Sequence, residues 1–120
     1  MTFNFDTGSD LMWVGGQGCN GCLANTTLYD HSASSDSTLT STPDSIRYLD
    51  GSGVDGNILR DWVWIGDTPT EGVIDSMNIL LVDEADDDSS GFDGLVGLSQ
   101  YASGNSELLV QKLKEYGAID

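Results

Sequence analysis

Basic side chains are nearly missing from this chain: four lysines and arginines stand against twenty aspartates and glutamates, a formal charge of −16 over 120 residues. A surface of that sign repels nucleic acid and anionic membranes, which excludes both as partners. Long apolar runs are also missing. A stretch such as Ile79 to Val82 is only four residues, against the roughly 20 that a membrane-spanning helix needs, so no membrane span is expected. The start, Met1 to Asp6, has neither a basic patch nor an apolar stretch and does not read as a signal peptide, although a targeting segment could lie upstream. Histidine occurs once, at His31, and cysteine twice, at Cys19 and Cys22. Those three cannot complete a four-ligand zinc site of these residue types in one chain. The cysteine spacing itself fits a small disulfide loop, a redox pair or half a zinc site.

What remains is turn-rich and globular: fifteen glycines, two prolines and 38% apolar residues, enough for one modest domain that buries roughly 65% of its unfolded surface. Hydrophobic periodicity predicts short strands with a single helix near the end. Phe3 and Phe5 alternate with polar neighbours, and Leu11 to Val14 resumes an apolar run after a tight loop. Gly15 to Cys22 and Ser32 to Ser45 read as loops that add little to the core. Ile46 to Leu49 and Ile58 to Ile65 flank Asp50-Gly51-Ser52-Gly53, a hairpin whose glycines supply positive φ angles. Met77, Ile79 and Leu81 repeat at period two, predicting a strand with one buried face that the acidic Asp83 to Asp88 stretch ends. Leu109, Leu113 and Tyr116 fall at helical spacing within Ser106 to Tyr116, with Gly117 as C-cap.

The segment with chemical content is Asp6-Thr7-Gly8-Ser9. The aspartate offers a titratable oxygen pair, the glycine lets a backbone N–H approach it, and the hydroxyls can orient it by hydrogen bonds. Taken alone, the tetrapeptide is also compatible with an ordinary Asx turn.

Several further segments, in order, carry a resemblance to the amino-terminal lobe of pepsin-like aspartic proteases. Phe5 to Val14 resembles that family's first catalytic segment, with Trp13 seven positions after the aspartate. Tyr29 to Thr38 is similar to the loop after its small disulfide, Tyr48-Leu49-Asp50-Gly51-Ser52 resembles its flap hairpin, and Phe92 to Leu98 resembles the element closing the catalytic loop. The resemblance implies an all-β fold, a partial N-terminal lobe of a bilobal acid protease with one short C-terminal helix. It implies Asp6 as one of two catalytic aspartates, with Thr7, Gly8 and Ser9 in support. Thr7 would brace the site, Gly8 would offer backbone to substrate, and Ser9 would hydrogen-bond the outer carboxylate oxygen. It also implies a Cys19–Cys22 disulfide, Tyr48, Leu49 and Asp50 as flap residues against substrate, Trp13 as anchor of the tyrosine, and Leu95 in an apolar specificity pocket. Polypeptide is the implied substrate, no cofactor or metal is implied, and the implied location is secreted or vacuolar/lysosomal.

One departure stands out: a second Asp-Thr-Gly or Asp-Ser-Gly is absent. The expectation is therefore that residues 1–120 are part of a longer protein, without its first strands and its whole second lobe. A lone aspartate cannot run a two-carboxylate cycle, so the chain by itself should be inactive. Two rival readings are a non-catalytic pepsin-like protein that binds a polypeptide or inhibitor, and a single-lobe homodimeric protease. His31 in its polar loop, the acidic Asp83 to Asp88 run, and the Trp62 and Trp64 pair read as a surface residue, a solvated loop and core or lobe packing. Asn25-Thr26-Thr27 is a formal glycosylation acceptor.

Overall fold

The structure, a computed structural model, describes residues 1–22, 26–48, 51–64, 73–86 and 92–117. Six strands, β1 (Phe3–Asp6), β2 (Trp13–Asn20), β3 (Thr38–Arg47), β4 (Gly53–Trp64), β5 (Val73–Ala85) and β6 (Gly94–Gly97), form one sheet in the order β1-β6-β2-β5-β4-β3. A seven-residue helix, α1 (Leu109–Glu115), follows. The fold class is all-β, as the sequence pattern predicts.

The topology around β6 positions everything that follows. β6 inserts between β1 and β2, parallel to the first (Phe3↔Gly94, Asp6↔Gly97) and antiparallel to the second (Trp13↔Leu95). Strands adjacent in sequence are thereby held apart in space, and the loop joining them must pass over the end of β6. On the other side, β2 pairs parallel with β5 (Trp13↔Leu80), and β5, β4 and β3 run antiparallel in turn.

Alternation along the strands sends side chains to two apolar layers. Leu11, Trp13, Val54, Ile58, Leu80, Val82 and Leu95 pack on one face. Met12, Val14, Ile74, Met77, Ile79 and Val96 pack on the other, where Leu109 and Leu113 of α1 join them. Leu59, Ile74, Met77, Leu80 and Val82 are fully buried, and truncating any of the larger ones to alanine should cost about 2–5 kcal/mol.

Several sequence expectations need correction. Gly15 to Cys22 is not a loop throughout, because β2 runs on to Asn20 and Gly15 and Gly16 are buried. Backbone pairing with β5 (Gly15↔Val82) supplies the order that side chains do not. Ser32 to Ser45 is likewise half strand: β3 is a ten-residue edge with no buried residue, so it shows no alternation to read. Its Pro43 is tolerated because an edge strand bonds on one side only. β5 extends past Asp83 to Ala85, and its middle is covered on both faces, Leu80 and Val82 by one apolar layer and Met77 and Ile79 by the other. Of the two hairpin glycines, Gly51 takes a positive φ, +88°, and Gly53 begins β4 without one. The helix starts at Leu109 rather than Ser106, whose amide closes a turn onto the Ser103 carbonyl. Gly117 follows the helix with φ +74°, and Tyr116 is 41% exposed instead of extending the buried stripe. Trp62 and Trp64 are also exposed, lining an open apolar trough of about 430 Å³ with Phe3 and Phe5.

Candidate active site

Asp6 is the last residue of β1, half-buried, at the rim where β1, β6 and the following loop meet. Its carboxylate Oδ1 accepts the Gly8 N–H at 2.9 Å. A glycine suits that place because a Cβ there would lie 3.3 Å from the same oxygen. The loop backbone is clasped by the exit of β6: Leu98 N–H donates to the Asp6 carbonyl at 2.7 Å and Ser99 N–H to the Ser9 carbonyl at 2.9 Å. Gly97 permits this approach. A Cβ on it would stand 2.6 Å from the Ser9 carbonyl oxygen and 2.7 Å from the Asp10 carbonyl carbon.

The supporting residues fall out unevenly. Thr7 is exposed. Ser9 Oγ is buried and has no hydrogen-bond partner among the described residues, so the expected bond from Ser9 to the carboxylate is not formed there. Asp10, to which the motif reading gave no role, is strongly engaged: its Oδ2 accepts from Ser103 N at 2.8 Å, Ser103 Oγ at 2.7 Å and Ser106 Oγ at 2.8 Å. Burial pushes that carboxyl up, but the bonds from Ser103 and Ser106 outweigh it and hold it below the usual carboxylate range.

On one face of the sheet, Trp13, Tyr48 and Leu95 come together. Trp13 Nε1–H donates to Tyr48 Oη at 2.9 Å, and Tyr48 packs on the layer that contains Trp13 and Leu95. The hairpin tip closes through Gly51 N–H to the Tyr48 carbonyl at 3.0 Å and Tyr48 N–H to the Ser52 carbonyl at 2.8 Å. Leu49, Asp50 and Asn25 lie outside the described residues. Leu95 is 7% exposed, a core position under the hairpin rather than a residue of the apolar trough, which belongs to the opposite layer. Cys19 and Cys22 form a disulfide, and His31 sits in a single 3₁₀ turn, His31–Ala33.

Two further carboxylates, to which the sequence reading gave no role, organise the surroundings. Asp93, buried just before β6, accepts the N–H groups of Thr2 at 2.6 Å and Thr27 at 2.7 Å, which hold it below the usual range. Asp61, also buried, accepts the Tyr29 hydroxyl and the Ser34 hydroxyl. Each pairs with residues tens of positions away, so no local spacing announces it. Among the described residues no three or more His, Cys, Asp or Glu side chains gather as metal ligands, and no helix is long and apolar enough to cross a membrane.

Comparison with known proteins decides the family, because residues 1–120 match the eukaryotic aspartyl protease family from end to end. The chain belongs to that family. Rhizopuspepsin-4 of Rhizopus niveus is 36% identical over 99 residues, 82% of this chain and 24% of that protein. Vacuolar protease A of Arthroderma otae and probable vacuolar protease A of Arthroderma benhamiae are each 45% identical over 64 residues, 52% of this chain and 16% of theirs. The chain thus spans about a quarter of the length of the first of these aspartyl protease relatives and less of the other two.

Proposed function

We propose that this lobe supplies one of the two catalytic aspartates of an aspartic endopeptidase, with Asp6 in that role. The observation that carries the reading is the placement of Asp6: the motif carboxylate stands at the end of β1 with the Gly8 amide on it and the exit of β6 clasping its loop, in a chain of the aspartyl protease family. The Trp13–Tyr48 bond under the hairpin supports the companion role of Tyr48, with Leu49 and Asp50, as a cover over an extended peptide.

The chemistry needs a second carboxylate, supplied by a lobe beyond these 120 residues. Two like charges close together share one proton. The ionised member takes a proton from a water as its oxygen attacks the scissile carbonyl, and the protonated member gives its proton to the carbonyl oxygen. In the collapse the C–N bond breaks, the leaving nitrogen takes the first proton, and the second returns to the other carboxyl. Within this lobe Gly8 N–H orients the Asp6 carboxylate, Thr7 braces the site, and Ser9 Oγ, buried and unpartnered here, is free to bond the carboxylate when the second lobe closes the site. Polypeptide is the substrate class. A vacuolar or secretory acidic setting suits the −16 charge, because acid neutralises carboxylates and lowers self-repulsion.

The test is hydrolysis of a peptide with bulky apolar residues around the cleaved bond, assayed from about pH 3 to 7, where dyads titrate. Asp6→Asn should lower turnover by at least about 10⁴-fold. Binding of the peptide without cleavage would favour the non-catalytic reading. Cleavage by residues 1–120 alone, lost with Asp6→Asn and second order in protein, would favour the homodimer.

A further inference from the structure

We infer that Asp10 is a positioning residue for the Asp6 carboxylate, acting as a clamp between the catalytic loop and the segment that leads into α1. What it does for turnover rests on the endopeptidase reading above; the clamp itself rests on geometry alone.

The Asp6 carboxylate has one hydrogen bond from its own loop, the Gly8 N–H at 2.9 Å. Its direction therefore depends on where the loop backbone holds that N–H. The loop is fixed at its first residue by β1 and at Ser9 by the Ser99 amide. Beyond Ser9 the fastening is Asp10, whose Oδ2 lies within hydrogen-bond distance of three donors from residues 93 and 96 positions away, the Ser106 hydroxyl dividing its single hydrogen between this oxygen and the Ser103 carbonyl. All three converge on one carboxylate oxygen at 2.7–2.8 Å, and bonds to an ionised acceptor are roughly twice as strong as neutral ones. The donors are themselves fixed. Ser103 N–H also reaches Ser106 Oγ at 2.9 Å, and Ser106 N–H closes the turn onto the Ser103 carbonyl at 3.0 Å. One residue further on, Glu107 accepts the Asn78 amide of β5 at 2.7 Å and pairs with Lys112 of α1 at 2.5 Å. Asn78 Nδ2 also donates to the Asn105 carbonyl at 3.1 Å. A continuous set of bonds thus runs from the centre of the sheet, through the 103–107 segment, to Asp10 and the loop that aims Asp6.

The experiment reads amide exchange and turnover together in the protein. Asp10→Ala should accelerate exchange at the Gly8 and Ser99 amides by about tenfold while Leu80, in the centre of β5, keeps its rate. In the same variant kcat should fall about tenfold with KM changed by less than about twofold, as for a misdirected catalytic group. Asp10→Asn, which can place its single carbonyl oxygen where the three donors meet, should recover most of both. Ser106→Ala loosens the clamp from the other side and should reproduce the pattern in part. Unchanged exchange at Gly8 and Ser99 in Asp10→Ala would overturn the inference, and so would acceleration equal to that at Leu80, which marks general loosening. If the unmodified protein cleaves no peptide, or Asp6→Asn leaves cleavage intact, the endopeptidase reading falls instead, and the exchange rates still decide the clamp.

Discussion

Trp13 Nε1–H donates to Tyr48 Oη across 2.9 Å, joining β2, which follows the Asp6 loop, to the tip of the β3–β4 hairpin thirty-five residues later. Trp13 is 5% exposed and sits in the core layer, so the indole is a fixed post that holds the tyrosine hydroxyl. Trp13→Phe keeps an aromatic ring and removes the donor; Tyr48→Phe removes the acceptor. Each should cost about 1 kcal/mol in urea unfolding, and the double variant should cost less than the sum of the two, because both singles delete one bond. Strict additivity would show that the bond contributes nothing.

Tyr29 is expected to titrate late. Burial is the main cause, and the carboxylate of Asp61 that accepts its hydroxyl adds to it, together pushing the phenol up to about 12. The phenolate absorbance of Tyr29 should develop near pH 12. Asp61→Asn should bring it part of the way back, since burial remains. A group whose folded pKa is raised gives stability that is complete below its unfolded value, about 10, and is lost as pH rises through the folded one. The alkaline loss of stability between about pH 10 and 12 should accordingly be smaller in Tyr29→Phe.

Part of this region was legible from residue order, for a physical reason: the Asp6 to Ser9 turn and the hairpin at Gly51 are local demands on backbone geometry, and local demands leave local signatures, whereas the closure of Gly97 against Ser9 and Asp10 was legible only through the family resemblance. The insertion of β6 between β1 and β2 was not legible, because it joins residues about ninety positions apart by backbone bonds that any side chain can make. Asp10 was silent for the same reason: its partners are two serines in a turn, residues that elsewhere mean only a surface loop. Of β3 only the Ile46 end was legible, because Thr38 to Ser45 has no buried residue to mark a face, and the strand within Gly15 to Asn20 was missed because glycines carry no pattern. The period-two signal of β5 was right about strand and incomplete about burial, since apolar layers lie on both faces of its middle, Leu80 and Val82 in one and Met77 and Ile79 in the other.

Asp93 should govern part of the acid stability. Its carboxyl is held below the usual range by the amides of Thr2 and Thr27, with burial opposing. A depressed carboxylate stabilises the fold above its unfolded pKa, about 3.9, and the contribution disappears as pH falls through the folded value. Urea midpoints taken at pH 5.5 and again below pH 3 should thus drop further for the unmodified protein than for Asp93→Asn. Equal drops would mean that the two amides bind the neutral carboxyl as well as the charged one.

Gly97 and Gly51 offer the sharpest separation of site geometry from general stability. At Gly51 the φ is +88° and a Cβ would meet nothing within 4 Å, so Gly51→Ala pays only for the left-handed backbone, about 1–2 kcal/mol. At Gly97 the backbone is unstrained, but the Cβ would meet the Ser9 carbonyl oxygen at 2.6 Å and the Asp10 Cα at 2.8 Å. Those are main-chain atoms and cannot turn aside as a side chain would. Gly97→Ala should therefore cost about 3 kcal/mol in chemical denaturation, at the upper end of overpacking, and should displace the Asp6 loop from the exit of β6. Its loss of turnover should exceed that of Gly51→Ala even at a temperature where both variants are fully folded, because only Gly97 touches the backbone that carries the carboxylate. If the two lose turnover in proportion to stability alone, the β6 exit supports the fold without aiming Asp6.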